Sequence, residues 1–201
     1  MNTVKAEATK KYLCFAVVIA IVLTLTSCSS ERKELSALSE NLSAGFCAEM
    51  EYSVAAGGSE ISGTASLCRS SSDGNVTLNI SSPPPYGGIC VKYSAASLPD
   101  VIEIAYEGIT LEVPKETFAR INTAMAVFTD DFAMTLLRLP PEVIKDYPDS
   151  EFRSVDFNYN GSDVSLRYDS ESHEPKSLTV SRDGAVINAY ITKFKKEVTT
   201  Q

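Results

Sequence analysis

Residues Phe46–Arg69 read FCAEMEYSVAAGGSEISGTASLCR, and the architecture follows from their pattern. Apolar and polar side chains alternate at every second position on both sides of Gly57-Gly58, a dipeptide typical of tight turns. A two-residue turn at these glycines places Cys47 directly opposite Cys68. The segment therefore predicts a long β-hairpin with one apolar face and one polar face.

The same alternation continues along the chain beyond this hairpin. Dipeptides that favour tight turns recur at Glu107-Gly108, Asn160-Gly161 and Asp183-Gly184. Further strands are predicted at 76–80, 89–93, 102–106, 109–113, 154–159, 164–168, 178–180 and 185–194. Hairpins in series, each with one apolar face, indicate an antiparallel meander of about ten strands.

Two segments have helical spacing instead. Ser29–Ser43 places three leucines three and four residues apart, which predicts a short amphipathic helix. An apolar insert spans Lys115–Leu139, and a short helical turn is expected at Glu142–Asp146 after Pro140-Pro141. The chain is thus predicted to be α+β and mainly antiparallel β. We expect an unclosed, strongly curved sheet, or half-barrel, with an N-terminal helix and a central helical lid.

The first residues have the three zones of a secretory signal. Met1–Lys11 is basic, Tyr12–Leu25 is apolar and too short to read as a full membrane span, and Leu25-Thr26-Ser27-Cys28 follows. The alternative is an uncleaved membrane anchor with an incidental cysteine. Both interpretations export the same domain.

The tetrapeptide that ends at Cys28 resembles the lipobox of bacterial lipoproteins. That resemblance implies a cut between Ser27 and Cys28 and a diacylglycerol on Cys28. We therefore expect residues 1–27 to be the signal peptide, residues 28–44 the lipidated N-terminus and helix, and residues 45–201 the half-barrel domain. The implied location is the cell envelope, on the outer side of the cytoplasmic membrane or in an outer membrane if the cell has one.

The charge of the chain excludes some partners. The formal net charge is −8 at pH 7, and removal of residues 1–27, with three lysines and one glutamate, makes the mature chain more acidic. This acidity argues against binding to nucleic acid or a polybasic contact with anionic lipid. Membrane attachment is therefore expected through the lipid on Cys28.

Two states are open to Cys47 and Cys68 in the mature chain. At a non-hydrogen-bonded pair the Cα atoms are about 4.5 Å apart, a separation that a disulfide accepts. Export permits the bond, whereas an anaerobic envelope would leave two reduced thiols, and the sequence leaves both options open. Cys90 is expected about two strands from Cys68, too far to bridge it at about 4.8 Å for each strand.

The order of these elements resembles the LolA-like superfamily. The order comprises a lipobox, an N-terminal amphipathic helix, a strand meander, a central apolar helical insert and C-terminal hairpins, over most of residues 31–196. The resemblance implies an unclosed barrel of about eleven strands whose helices cover an apolar cavity. It also implies a protein that binds acyl chains or other hydrophobic ligands, or regulates envelope stress. Because this chain carries its own anchor, a fixed receptor, ligand-presenting protein or sensor is favoured over a shuttle.

Residues typical of catalysis are sparse. The one histidine, His173, lies in the polar segment 169–175, where no neighbouring residue offers a nucleophile or an orienting partner. The sequence has no HExxH, CxxC, phosphate-binding glycine loop or Gly-x-Ser-x-Gly motif. We therefore expect no enzyme activity, no catalytic residue, no metal and no cofactor.

Apolar side chains that face the same side of the sheet, with those of the insert, are the candidate ligand site. On the strands these are Met50, Tyr52, Leu67, Leu78, Ile80 and Val91, and on the insert Ile121, Met125, Phe128, Phe132 and Leu136. Flexible methionines suit varied ligands, and a pocket between sheet and lid would hold an acyl chain, lipid or lipoprotein. For any single residue the alternative is an ordinary filled core.

Two functions remain open from the sequence. The first is a lipoprotein that binds a hydrophobic ligand between sheet and lid. The second is an anchored sensor or regulator that binds an envelope protein and has no ligand cavity. A void of about 300 Å³ or more would favour the first, and a packed interior the second.

Overall fold

The computed structural model describes residues 30–84, 86–94, 101–114, 127–147 and 151–197. All strands among these residues belong to one antiparallel sheet of eleven strands. The strands are β1 (Phe46–Ala56), β2 (Ser59–Arg69), β3 (Val76–Ile80), β4 (Cys90–Tyr93), β5 (Val101–Tyr106), β6 (Ile109–Pro114), β7 (Ile144–Asp146), β8 (Phe152–Tyr159), β9 (Ser162–Asp169), β10 (Pro175–Arg182) and β11 (Ala185–Lys196). The described helices are α1 (30–43), α2 (Asp130–Leu136) and a 3-10 turn at Pro141–Val143.

The sheet is unclosed, with β6 at one edge and β7 at the other. Its strand order is β6-β5-β4-β3-β2-β1-β11-β10-β9-β8-β7. The N-terminal meander and the C-terminal hairpins therefore join through β1 and β11 at the middle of the sheet. The predicted class, an unclosed antiparallel sheet with an N-terminal helix and a further central helix, is confirmed.

The β1–β2 hairpin has the register predicted from its glycines. Cys47 pairs with Cys68, and a disulfide joins the two residues, whose Cα atoms are 4.1 Å apart. Cys90 is a free, half-buried thiol on β4.

One predicted element is wrong. The helical turn expected at Glu142–Asp146 is a 3-10 turn at Pro141–Val143, followed directly by strand β7. From Ile144 onward the backbone pairs with β8, with Ile144 opposite Val155. This pairing replaces local helical hydrogen bonds and brings the strand number to eleven rather than about ten.

The two ends of the sheet differ. The helix end is where β1 begins and β2 ends, and α1 crosses the sheet there. The turn end carries the tight turns at 57–58, 107–108, 160–161 and 183–184. Leu35, Leu38 and Leu42 of α1 are buried in the main core. The predicted amphipathic helix is thus present, with its leucine stripe against the sheet.

Polar contacts fix the C-terminal half of α1 at the helix end. The side-chain amide of Asn41 donates to the carbonyls of Ser172–His173, at 3.0 and 2.7 Å. The buried guanidinium of Arg69 donates to the carbonyls of Ser43–Ala44, where α1 ends. A cation suits a helix C-terminus because the last carbonyls there lack intrahelical partners.

Candidate functional site: an apolar cavity on the curved sheet

The hollow of the sheet contains an apolar cavity of about 130 Å³. Eleven of its lining residues lie on strands and the twelfth on the segment before α2. They are Met50, Tyr52, Val54, Ala65, Leu67, Leu78, Ile80, Val91, Phe128, Leu178, Ile187 and Ala189. None of these side chains is charged, so the cavity suits an apolar group and not an ion.

The strand alternation explains why these side chains converge. In β1 every second residue from Met50 to Val54 lines the cavity. Cross-strand pairing continues the wall, since Leu67 of β2 pairs with Leu78 of β3, which pairs with Val91 of β4. All six strand residues proposed from the sequence line this one cavity.

The residues proposed on the insert have different positions. Phe128 lines the cavity and is buried. Phe132 and Leu136 do not line it. Both are fully buried in the core, and the ring of Phe132 packs on Phe157 at 5.5 Å and on Tyr159 at 5.2 Å. The aromatic surface of β8 thus holds this face of α2.

Some predictions fall outside the described residues. These are the signal peptide, the lipidated Cys28 and the insert residues Ile121 and Met125.

Five cavity residues were missed by the sequence reasoning. Val54 and Ala65 already belong to the apolar face of the first hairpin, so its alternation contained the signal for them. Leu178, Ile187 and Ala189 come from β10 and β11. They reach the cavity because β11 pairs with β1, with Ala189 opposite Tyr52. This long-range pairing leaves no local signal.

The exposure of the cavity wall rises toward the turn end. Leu67 is 2% exposed and Met50 is 6% exposed, whereas Val54 and Ile187 are half-buried. Ile61, the partner of Val54 across the hairpin, is 39% exposed. The mouth of the cavity, defined here by Val54, Ile61 and Ile187, therefore opens toward the turn end.

The loop between β3 and β4 borders the cavity at Ser82. The hydroxyl of Tyr52 donates to the carbonyl of Ser82 at 2.8 Å, so the polar end of this lining residue is satisfied by the protein. Burial, together with the nearby Tyr86, raises the pKa of the Tyr52 hydroxyl. Gly63 permits the approach, because a Cβ at Gly63 would lie 2.0 Å from the same carbonyl oxygen.

The cavity volume limits what it can hold. Sites for drug-sized ligands measure about 300–1,000 Å³, whereas an engineered apolar void of about 150 Å³ binds benzene. At about 130 Å³ the cavity resembles the latter. It can enclose a short stretch of an acyl chain but not a whole lipid.

The single histidine lies away from this cavity. His173 is half-buried in the β9–β10 turn, with a φ of 56° and its ring stacked on Tyr168 at 6.1 Å. In the described part of the chain no three His, Cys, Asp or Glu side chains group to hold a metal ion. No helix within the same residues is both long and apolar enough to cross a membrane.

Similarity to known proteins is found among solved structures. No model of a known protein family matches the chain, and no curated protein matches it. An uncharacterized conserved protein from Thermus thermophilus resembles it with a TM-score of 0.51 and 11% identity, over 85% of this chain and 90% of that one.

Two further solved structures are similar at lower scores. A LolA superfamily protein from Nitrosomonas europaea has a TM-score of 0.42 and 8% identity, over 85% of this chain and 94% of that one. The lipoprotein LppX from Mycobacterium tuberculosis has a TM-score of 0.44 and 7% identity, over 88% and 99%. At such identities the likenesses concern the fold alone. The unclosed antiparallel sheet of eleven strands agrees with the unclosed barrel of about eleven strands that was expected from the sequence.

Proposed function

We propose that this chain is a membrane-anchored lipoprotein that binds a hydrophobic ligand in the hollow of its sheet. The observation that carries the proposal is the cavity itself, which is lined by uncharged side chains and whose wall becomes more exposed toward the turn end. A cavity of this volume can hold a short stretch of one acyl chain, which would belong to a fatty acid, a lipid or a lipoprotein. The remainder of such a ligand would extend through the mouth.

A row of apolar residues that begins at the cavity wall and continues beyond it supports an extended ligand. The Leu67–Leu78–Val91 row continues across the sheet through Ile104 to Leu111 on β6. Four strand spacings of about 4.8 Å make this row about 19 Å long. One leaflet of a bilayer, half of about 30 Å, accommodates an acyl chain over about 15 Å. The wall is therefore long enough for one extended chain.

Uptake of cis-parinaric acid, whose fluorescence rises in apolar surroundings, tests the ligand. Ala65 lies on the cavity wall and is 5% exposed, so Ala65→Leu would fill part of the void. We expect binding by the delipidated wild type and at least about tenfold weaker binding by this variant, or about 1.4 kcal/mol.

The matched control is Ala56→Leu, the same change at an exposed position at the end of β1. It should leave binding unchanged. No uptake by the wild type, or equal uptake by the Ala65→Leu variant, would contradict the ligand proposal.

The anchor is tested separately. We expect the full chain, expressed in a bacterium, to incorporate labelled palmitate and to fractionate with membranes. Cys28→Ser should abolish both, whereas Cys90→Ser should abolish neither. Labelling that survives Cys28→Ser would reject Cys28 as the lipidated residue.

The alternative, an anchored sensor or regulator, is favoured by two observations. The cavity is smaller than the 300 Å³ expected of a ligand site. The edge strand β6 also exposes Ile109 (65%) and Leu111 (58%), and an exposed apolar edge suits a second protein. This function would be preferred if the wild type takes up no fatty acid and a stoichiometric envelope partner is lost on Leu111→Lys.

A further inference from the structure

We propose that the helix end of the sheet rests on the membrane that holds Cys28, so that the cavity mouth faces away from that membrane. This inference rests on the anchor at Cys28 in the proposed function. It adds a membrane-contact surface and a direction from which ligand reaches the cavity.

The first step is the short distance from the anchor to the fold. Cys28 precedes Ser30, the first described residue of α1, by two positions. Even fully extended, two residues span no more than about 7 Å. A lipid on Cys28 that lies in a bilayer therefore holds the start of α1 at the membrane surface.

The second step is that the start of α1 is fixed to the sheet. The carboxylate of Glu34, one helical turn after Ser30, accepts hydrogen bonds from the Arg153 guanidinium and from the Tyr168 hydroxyl, the latter at 3.2 Å. Arg153 also contacts Asp146 at 2.7 Å. Burial, followed by the Glu34 carboxylate, raises the pKa of the fully buried Tyr168 hydroxyl.

This arrangement resists movement of the helix. The Glu34 side chain is only 14% exposed, so separating it from Arg153 would leave a poorly solvated charge. The leucine stripe of α1 is buried as well. Because α1 is fixed to the sheet, an anchor at the start of α1 orients the sheet together with the helix.

The third step is a cluster of aromatic and arginine side chains close to the contact between α1 and Arg153. This rim cluster is defined by Tyr147, Phe152 and Arg167. The Arg167 guanidinium lies 5.3 Å from the Tyr147 ring centre and 5.5 Å from that of Phe152. Tyr147 is 43% exposed and directly follows Asp146, the partner of Arg153. Aromatic and arginine side chains favour the interface between water and acyl chains because each combines an apolar body with a polar end.

The position of the mouth completes the inference. Val54 lies eight residues along β1 from Phe46 at the helix end, a distance of about 26 Å at 3.3 Å per residue. This exceeds the thickness of one hydrocarbon leaflet, about 15 Å. A ligand must therefore enter from the side opposite the anchoring bilayer, delivered by another molecule or taken from solution.

Tryptophan quenching tests this orientation, because the chain has no tryptophan of its own. Two exposed tyrosines serve as matched positions: Tyr147 in the rim cluster and Tyr106, 37% exposed, beside the 107–108 turn. Tyr147→Trp and Tyr106→Trp lipoproteins are reconstituted in phosphatidylcholine vesicles that contain lipids with nitroxide headgroups. We expect at least threefold stronger quenching in the Tyr147→Trp protein. Equal quenching, or stronger quenching in the Tyr106→Trp protein, would overturn the proposal.

Two further experiments distinguish failure of this proposal from failure of lipidation and from effects of the tryptophan substitutions. The first uses a Cys90→Ser chain without residues 1–27. Chemical coupling of its Cys28 to a maleimide lipid repeats the quenching test without native lipidation. Hydrogen exchange on the reconstituted wild type needs no tryptophan substitution. We expect amide exchange at 151–153 to be slower on vesicles than without them and exchange at 57–60 to be unchanged. The reverse pattern would overturn the proposal.

Discussion

Removal of the Cys47–Cys68 disulfide should lower the free energy of unfolding by about 3 kcal/mol. The two cysteines are 21 residues apart, and closing a loop of this size in the unfolded chain reduces its conformational entropy by about that amount at 25 °C. The perturbation is the double substitution Cys47→Ala with Cys68→Ala. The native hairpin should persist, because its register is also held by the turn at 57–58 and by the pairing of β1 with β11.

Urea unfolding, followed by circular dichroism, measures this loss. With an m-value of about 2 kcal/mol/M for a domain of this size, the midpoint should fall by about 1.5 M. Reductant should lower the wild-type midpoint by a similar amount and leave the double variant unchanged. Cys90→Ser serves as the control because Cys90 is a free thiol, and it should remain as sensitive to reductant as the wild type.

Two results would refute this reasoning. One is a double variant within about 0.5 kcal/mol of the wild type, the usual range for neutral surface changes. The other is a reductant effect of equal size in the double variant, because then the reductant would act elsewhere than on this bond.

Three further predictions concern stability. Arg69→Met should cost about 3 kcal/mol, because the carbonyls that end α1 lose a charged donor in a buried position; thermal unfolding checks this, and an unchanged midpoint would contradict it. Gly63→Ala should cost about 1–3 kcal/mol, because its Cβ would lie 2.0 Å from the Ser82 carbonyl oxygen; the loop must shift, and a wild-type urea midpoint would show that no close approach exists. The third concerns pH: the backbone N–H of Ser172 is the main cause that holds the pKa of Asp169 below its usual value. Its stabilising effect is therefore complete above the unfolded value, about pH 4, and is lost as the pH falls through the lower folded value. Asp169→Asn should thus reduce the loss of stability between pH 5 and pH 2, and an unaltered acid profile would contradict this assignment.

Much of the fold was predictable from local pattern. The alternation in Phe46–Arg69 and the glycines at its centre were sufficient for the strand faces, the hairpin register and the facing cysteines. The leucines of α1 were likewise sufficient for the helix and its buried side. These features depend on spacing within one element or across one tight turn, where the geometry of the backbone leaves few choices.

What could not be predicted depends on distant contacts. Strand β7 forms because Ile144 meets Val155 of β8, and no pattern of three residues specifies such a partner. Phe132 and Leu136 have helical spacing compatible with either the cavity or the core. The aromatic surface of β8 decides between them, and the volume left unfilled depends on all the packed side chains together.

The placement of β1 between β2 and β11 has a consequence for biogenesis. Phe46, at the start of the domain, pairs with Lys196 near the end of the described chain. The central seam of the sheet therefore cannot form until the last strand has been synthesised. Non-local pairing of this kind slows folding. In the lipoprotein proposed above, this delay would leave time for the chain to pass through a secretion channel while still extended. The β1–β2 hairpin needs no distant partner and is the first hairpin to be synthesised, so it can form before this seam.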